Sequence, residues 1–203
     1  MQDPFSIMPT HLASIERTLS PARLGRYSPA ANGDKQLALR LYLWNARLCE
    51  ALYLPMQFAE IAARNAINIL PKRMKDELAQ AEKQERKKRG AALNQDHIVA
   101  SLSFGFWVAL MTSAYDKHLW VNGVMTSFPS AAPKDDRHAI YLMLDSMRRF
   151  RNDAAHHVAI FDRHPQREFQ NALKITKLIC DDTHWLSSET ARVGQVISDR
   201  PKF

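Results

Sequence analysis

The chain has 203 residues, a formal net charge of +7 at pH 7 and a hydrophobic fraction of 46%. This length suits one domain with a complete core, and no internal repeat suggests a second one. No apolar run approaches the roughly 20 residues that a membrane-spanning helix needs, and no signal-peptide pattern is recognisable. The excess of positive charge favours an acidic partner, and nucleic acid is the usual one.

The two cysteines, Cys49 and Cys180, are too few and too isolated for a disulfide framework or a zinc site. Both fall within apolar helical patterns, which is typical of small buried hydrophobic residues. We therefore expect a cytoplasmic protein without a metal or a cofactor. Residues 1–7 resemble an expression remnant ahead of a native start at Met8, and they are left out of the fold prediction.

In the first half of the chain, apolar spacing predicts helices separated by short breaks. A first helix begins at Pro9 and ends at Leu19, before the helix-stopping Ser-Pro pair that follows. Asp34 can cap a second helix, and Pro55 marks either a break in it or the first turn of another. The helical pattern after Pro55 continues to about Ile69.

A strongly charged segment follows from Pro71 to Gly90. Acidic residues alternate with basic ones there, so i to i+4 ion pairs can support a solvated helix, the common fate of such runs. The alternative is a basic arm that contacts RNA phosphates. Its cations are Lys72, Arg73, Lys75, Lys83, Arg86, Lys87, Lys88 and Arg89, and the last five, together with Arg148, are the candidate RNA-binding residues.

In the second half, Asp96 can cap a helix that continues to about Tyr115. Its aromatic run at 104–107 could stack on bases, but helical spacing favours a place in the core. Residues 122–133 predict a loop, residues 134–157 a helix, and Pro165 can open the last helix. The domain then spans residues 8–186, and residues 187–203 form a polar, frayed tail. No alternating run supports a strand, so the fold class is all-α.

The densest polar cluster of the chain lies at residues 151–157, here called the signature segment. Arg151 occupies the apolar stripe of its helix, and a guanidinium at such a position needs a partner, an interface or a ligand. At 100° per residue Arg151 and His156 lie roughly 140° apart, whereas Asn152 and His156 share a face. The segment could wrap around a helix end, be completed by a second chain, or simply be a solvated helix end.

Polar residues also interrupt the apolar pattern of the helix that contains Glu60, Arg64 and Asn65. Glu60 and Arg64 are four residues apart and could form an ordinary surface ion pair.

Four separated motifs carry a resemblance to a known family. They are Leu41-Tyr42-Leu43-Trp44-Asn45, Glu60-Ile61-Ala62-Ala63-Arg64-Asn65-Ala66-Ile67, Phe104-Gly105-Phe106-Trp107, and the signature segment followed by Ile160-Phe161. In this order they resemble the Abi-like family, which comprises abortive-infection proteins of bacteria within the HEPN superfamily. The resemblance runs from about Leu19 to Trp185.

The resemblance implies an all-α, HEPN-like helical bundle with a charged helical arm, and a metal-independent RNase activity. Arg151, Asn152 and His156 fill the positions of the superfamily signature, which is an arginine, a polar residue and then a histidine. The resemblance also implies a homodimer with a composite active site. It further implies that the helix with Glu60, Arg64 and Asn65 packs near the helix that carries the signature segment. We suggest that Glu60 or Asn65 orients Arg151 or His156 there.

RNA cleavage without a metal requires removal of a proton from the 2′-OH and protonation of the 5′-oxygen. We assign the acid–base role to His156 and the binding of the charged transition state to Arg151. Asn152 would position the phosphate or the imidazole, and His157 would assist His156 or fix its ring, with Asp153 in support. The products would be a 2′,3′-cyclic phosphate and a 5′-hydroxyl. The alternatives are a non-catalytic RNA-binding or regulatory module and a toxin that acts through protein contacts. An antitoxin partner is also compatible with the sequence.

Overall fold

The computed structural model describes residues 8–67, 75–117 and 119–202. All regular structure in these ranges is helical, which confirms the all-α prediction for the described part of the chain. The helices are α1 (Pro9–Leu19), α2 (Pro21–Gly25), α3 (Lys35–Ile67), α4 (Lys75–Arg89), α5 (Gln95–Ser101), α6 (Phe104–Ala109), α7 (Arg137–Ala155), α8 (Pro165–Ile179), α9 (Asp181–Thr190) and α10 (Val193–Ser198), with 3₁₀ turns at Pro29–Ala31, Gly90–Ala92 and Ser113–Tyr115.

The long helix α3 is the axis around which the other elements pack. Its N-terminus is capped by Asp34, whose Oδ1 accepts hydrogen bonds from the amides of Gln36 and Leu37 at 2.8 and 3.2 Å, as predicted. α3 packs against α8, α10, α6 and α7, and α8 in turn packs against α7 and α9. The core along α3 includes Leu41, Trp44, Leu48, Leu52, Met56, Ala59 and Ala63.

Pro55 does not interrupt α3, so the predicted break is wrong. The proline lies inside the helix and is buried. A proline within a helix removes one hydrogen bond and costs about 3 kcal/mol. The apolar stripe stays in phase on both sides, from Leu52 to Met56 and Ala59, and all three side chains are buried. Burial of a side chain of this kind contributes roughly 1.5–3 kcal/mol, so a few such contacts outweigh the proline.

Residues 95–115 form two helices where the sequence predicted one. Asn94, not Asp96, caps α5, because Asn94 Oδ1 accepts from the amide of His97 at 3.0 Å. The chain is extended at Leu102, and Ser103 then caps α6 by accepting from the amide of Phe106 at 3.2 Å. Phe104, Phe106 and Trp107 are buried, which confirms their predicted place in the core.

The segment after residue 186 is ordered as helix, which corrects the prediction of a frayed polar tail. α9 continues to Thr190, and α10 packs on α3 with Val193 fully buried. The Trp44 indole nitrogen donates to the Val196 carbonyl at 2.6 Å, and the Arg200 guanidinium lies 5.4 Å from the Trp44 ring centre. The short apolar face of α10, formed by residues three and four apart, was too brief to stand out from its polar surroundings.

The signature helix lies close to its predicted bounds. No helix forms within residues 122–133, and α7 begins after Asp136, whose Oδ1 caps the helix by accepting from the Ala139 amide at 2.7 Å. α7 ends at Ala155, so the signature segment occupies its last turn and the residues that follow. Pro165 opens α8 as predicted, although two further helices follow it. No helix in the described ranges is both long and apolar enough to cross a membrane.

A buried amide ties α3 to the chain that leaves the signature helix. Asn45 is 5% exposed, and its Oδ1 accepts hydrogen bonds from the backbone amides of Ile160 at 2.9 Å and Phe161 at 3.2 Å. The aromatic ring of Phe161 then stacks on Tyr27, with ring centres 5.2 Å apart. Asn45 therefore fixes where the end of α7 lies against α3.

We predict that Asn45→Ala lowers the free energy of unfolding by about 2–4 kcal/mol, because it leaves two backbone amides without their acceptor. Asn65→Ala is the matched control, since Asn65 lies on the same helix and is exposed. The control should change stability by no more than about 0.5 kcal/mol. Urea unfolding followed by circular dichroism measures both, and equal effects of the two substitutions would contradict the anchoring role of Asn45.

Candidate functional site

The end of α7 closes in a helix-capping turn that sets the direction of both signature histidines. His156 is the C-cap residue, and His157 adopts a left-handed backbone with φ +59°. The His157 amide donates to the Ala154 carbonyl at 3.1 Å, and the Val158 amide donates to the Asp153 carbonyl at 2.9 Å. This pair of hydrogen bonds is the Schellman motif, in which glycine is the usual left-handed residue. Histidine at that position is uncommon.

Glu60 of α3 lies between two arginines. It is 9% exposed, and its Oε1 forms an ion pair with Arg64 one turn along the same helix. Its Oε2 lies 3.5 Å from Nε of Arg151 on α7. One buried carboxylate thus faces two guanidiniums from two helices. Arg151 has the partner that was predicted for it, but its predicted place on the apolar stripe is wrong in one respect, because the residue is exposed at the end of α7.

Arg151 also contacts Asn152, the residue that shares a helix face with His156. One terminal nitrogen donates to Oδ1 of Asn152 at 3.3 Å, and the Arg151 side chain remains 47% exposed. Asn152 and His156 are four residues apart and share a helix face. Arg151 therefore touches Asn152 on the His156 face, while the backbone positions of Arg151 and His156 are roughly 140° apart around the helix.

The two imidazoles of the signature segment face solvent. His156 and His157 are both exposed, and within the described ranges no side-chain hydrogen bond holds either ring. The His157 carbonyl, in contrast, accepts a hydrogen bond from Arg23 of α2 at 3.3 Å. His156 is thus accessible to a ligand or to a second chain.

Asp153 is directed away from the arginine–histidine pair. Its carboxylate forms an ion pair with Arg163, in the turn between α7 and α8. The predicted supporting role of Asp153 therefore corresponds to a structural contact that holds the chain after α7. Asn65 is exposed on α3, and no contact in the described ranges joins it to Arg151 or His156.

Arg64 pairs with Glu60 on its own helix and also joins α3 to α5. One terminal nitrogen donates to the Ala100 carbonyl at 3.3 Å, and the Arg64 side chain is 15% exposed. Its Nε is buried without a hydrogen-bond partner. Arg64 therefore has a mainly structural place beside the site, with one donor unused.

Arg148, a candidate RNA-binding residue, is paired with a carboxylate on its own helix. Its Nε and terminal nitrogen donate to Oδ1 of Asp145 at 3.0 and 2.7 Å, and Arg149 pairs with the other oxygen. Burial alone raises the pKa of Asp145, but hydrogen bonds from both arginines outweigh burial and hold that pKa below its ordinary value. These pairs stabilise the fold at neutral pH and are lost as the pH falls through the lowered pKa. Arg149, with 71% of its side chain exposed, is the more accessible cation.

The charged arm is partly neutralised within α4. Lys88 and Arg89 both pair with Glu85, at 2.6 and 3.0 Å, and their hydrogen bonds lower the pKa of that carboxyl group. Arg86 pairs with Glu82, in agreement with the i to i+4 interpretation. Within the described part of α4, this leaves Lys83 and Lys87 as exposed cations outside an ion pair. Three predicted cations of the arm lie outside the described residues, namely Lys72, Arg73 and the side chain of Lys75. The same holds for residues 1–7 and for the predicted helix end at Ile69.

A groove of about 720 Å³ lies between the second half of α3 and the end of α7. Arg64, Glu60 and Arg151 lie at one end, and Tyr53, Glu50 and His157 lie toward the other. The apolar side chains between them include Met56 and Ile61 on α3 and Ala154 and Ala155 on α7. His156 lies outside this groove, on the neighbouring face of the helix end. The groove could not be predicted from the sequence, because its two walls come from distant parts of the chain, residues 49–64 and residues 151–157.

Sequence reasoning missed the residues that hold the site in place, namely Asn45, Arg23 and Arg163. The signal for Asn45 was present, since a polar residue next to Trp44 on an apolar helix face raises the same question as Arg151. The contacts of Arg23 and Arg163 depend on the path of loops, which periodicity does not reveal. In the described ranges, no group of three or more His, Cys, Asp or Glu side chains could hold a metal ion.

Comparisons with protein-family models, with curated proteins and with solved structures give no match.

We predict that His157→Gly raises the free energy of unfolding by about 1 kcal/mol, because glycine adopts the left-handed conformation without steric cost. His156→Gly is the matched control, since φ at His156 is −87° and no such strain exists there to relieve. The control should be neutral or destabilising. Urea unfolding tests both variants, and a loss of stability in His157→Gly would show that its imidazole contributes more than its backbone costs.

Proposed function

We propose that this chain is a metal-independent endoribonuclease of the HEPN type, and that its active site is the end of α7 with Glu60 of α3 behind it. The observation that carries the proposal is the placement of Arg151. Its guanidinium touches a buried carboxylate on one side and Asn152 on the other, while nearly half of the side chain stays open to solvent. An exposed His156 lies on the Asn152 face of the same helix end.

The cation matches the charge that RNA cleavage develops. Attack of the 2′-OH on the adjacent phosphorus gathers negative charge on the phosphoryl oxygens, and a guanidinium can hydrogen-bond two of these oxygens at once. Glu60 lies beside Nε of Arg151. Within the described ranges one terminal nitrogen of Arg151 donates to Asn152 and the other has no partner, so N–H groups remain available for a phosphate. Asn152, already within hydrogen-bond distance of Arg151, supplies an amide that can donate to the same phosphate.

His156 supplies the proton transfers. An imidazole can accept the 2′-OH proton or give a proton to the departing 5′-oxygen near neutral pH. Its exposed ring meets the first requirement for this role, which is access to the substrate. The products are a 2′,3′-cyclic phosphate and a 5′-hydroxyl, and DNA is not a substrate because it lacks the 2′-OH. The resemblance to Abi-like proteins supports an anti-phage toxin that cleaves cellular RNA and is restrained by an antitoxin.

We further propose that two copies assemble with their α7 helices facing each other. Leu142, Arg149 and His156 follow one another at seven-residue steps along α7, and all three are exposed, Leu142 by 53%. An isologous contact through this stripe would bury the leucine and bring the two His156 side chains to one interface. A phosphate bound at this interface would offset the repulsion between the Arg149 side chains of the two copies.

A second candidate is a HEPN-like module that binds RNA without cutting it. The observation that favours it is the absence, in the described ranges, of any hydrogen bond that orients the His156 ring. A general base without an orienting partner is less effective, whereas RNA binding needs only the cations.

We predict that the purified chain cleaves mixed cellular RNA in excess EDTA and leaves 2′,3′-cyclic phosphate ends. His156→Ala should lower the rate by about 10²–10⁴-fold, the usual contribution of general acid–base catalysis. His138→Ala is the matched control, because His138 is an exposed histidine on the same helix outside the signature segment. Gel analysis of fragments and mass spectrometry of their ends measure the result.

Equal cleavage by wild type and His156→Ala would overturn the enzyme assignment, and so would activity that EDTA abolishes. RNA that is bound but uncut by every variant would favour the binding module.

A further inference from the structure

A large aromatic side chain stands in solvent on the wall of the site groove. Tyr53 of α3 is 68% exposed, whereas Trp44 on the same helix is buried and Tyr42 packs against the core. It lines the same groove as Arg151 and Arg64. An exposed tyrosine ring presents a flat apolar surface with a polar tip, which suits stacking against a planar ligand.

The two helices that form the groove run in opposite directions. Glu60 contacts Arg151, whereas Asn45, fifteen residues earlier on α3, binds the amide of Ile160, nine residues later than Arg151. The groove therefore has an arginine end beside Glu60 and a tyrosine end beside His157. Seven residues of helix separate Tyr53 from Glu60, the partner of Arg151, which is about 10 Å along the axis.

Charge divides the groove in the same direction. At the arginine end two guanidiniums face the single carboxylate of Glu60, which leaves an excess of positive charge, whereas Glu50, an exposed carboxylate one turn before Tyr53, lies at the tyrosine end. A phosphate is attracted to the first end and repelled from the second. A neutral group joined to that phosphate can occupy the second end, and its length must span the apolar stretch at Met56.

We propose that the groove is a nucleobase subsite for single-stranded RNA, with a phosphate at Arg151 and the neighbouring unpaired base stacked on Tyr53. The inference deepens the proposed function, since it rests on RNA as the ligand of Arg151. Gln57 is exposed one turn after Tyr53 and lines the groove, so its amide can both donate to and accept from a base edge. A base paired within a duplex presents no free face to the ring, which excludes double-stranded RNA from this subsite.

The test measures binding separately from cleavage. A short single-stranded oligoribonucleotide with 2′-O-methyl riboses cannot be cut, because its 2′-oxygens are blocked. Its dissociation constant is measured by fluorescence anisotropy for wild type, Tyr53→Ala and Tyr53→Phe. Trp185→Ala is the matched control, since Trp185 is a comparably exposed aromatic residue on α9 that does not line the groove.

We expect Tyr53→Ala to weaken binding by about tenfold or more, the usual scale of a base–aromatic stack, while Tyr53→Phe and Trp185→Ala stay near wild type. The salt dependence of binding should not change, because no phosphate contact is removed. For an oligonucleotide of the same length without bases, wild type and Tyr53→Ala should bind equally. The high exposure of Tyr53 means that these variants keep the fold.

Equal affinity of wild type and Tyr53→Ala for the base-containing oligonucleotide overturns the subsite. A change in self-association of Tyr53→Ala by light scattering, with unchanged RNA affinity, also overturns it and assigns the groove to a second copy of the chain. Cleavage tests the proposed function independently. A Tyr53 effect on binding without any cleavage supports the subsite and removes the enzyme, whereas His156-dependent cleavage without a Tyr53 effect does the reverse.

Discussion

The site depends on one buried carboxylate that faces two guanidiniums. Glu60 is nearly inaccessible to solvent, and it approaches Arg64 of its own helix and Arg151 of α7. A carboxylate buried at this depth requires compensation by opposite charge. Arg64 supplies it from the same helix, and the pair of Glu60 with Arg151 joins α3 to α7 where the signature segment begins. One negative charge between two cations also leaves a surplus of positive charge, which an anion can neutralise.

Three further contacts hold the end of α7 and the chain that follows it. Asn45 binds the backbone after the helix, Arg163 binds Asp153, and Arg23 binds the His157 carbonyl. The backbone is fixed on three sides, while Asn152, His156 and the terminal nitrogens of Arg151 remain accessible. A rigid backbone that presents accessible polar side chains is the arrangement that a binding or catalytic site requires.

Local signals predicted most of the helices, because apolar periodicity, Asp34 and Pro165 act within a few residues of their own position. The errors have tertiary causes. Pro55 is retained within α3 by burial on both sides, Asn94 supplanted Asp96 as a cap, and α10 packs through a face too short to detect. In the site, the spacing of residues 151–157 and the polar Glu60 were visible in the sequence. The groove and the contact of Asp153 with Arg163 were not, since they depend on how separate parts of the chain pack. The pair of Arg148 with Asp145 is local, because the two residues are three apart on one helix, and its spacing was visible in the sequence.

The most direct test of the account is a double-mutant cycle between Glu60 and Arg151, measured as kcat/KM for RNA cleavage. Glu60→Gln, Arg151→Ala and the double variant are compared with wild type, and unfolding in urea confirms that each variant is folded under the assay conditions. If Glu60 acts through Arg151, Glu60→Gln lowers kcat/KM in the wild-type background and has no further effect in Arg151→Ala. This corresponds to a coupling energy of about 1–2 kcal/mol. An equal loss in both backgrounds would show that Glu60 does not work through Arg151, and would contradict the central claim.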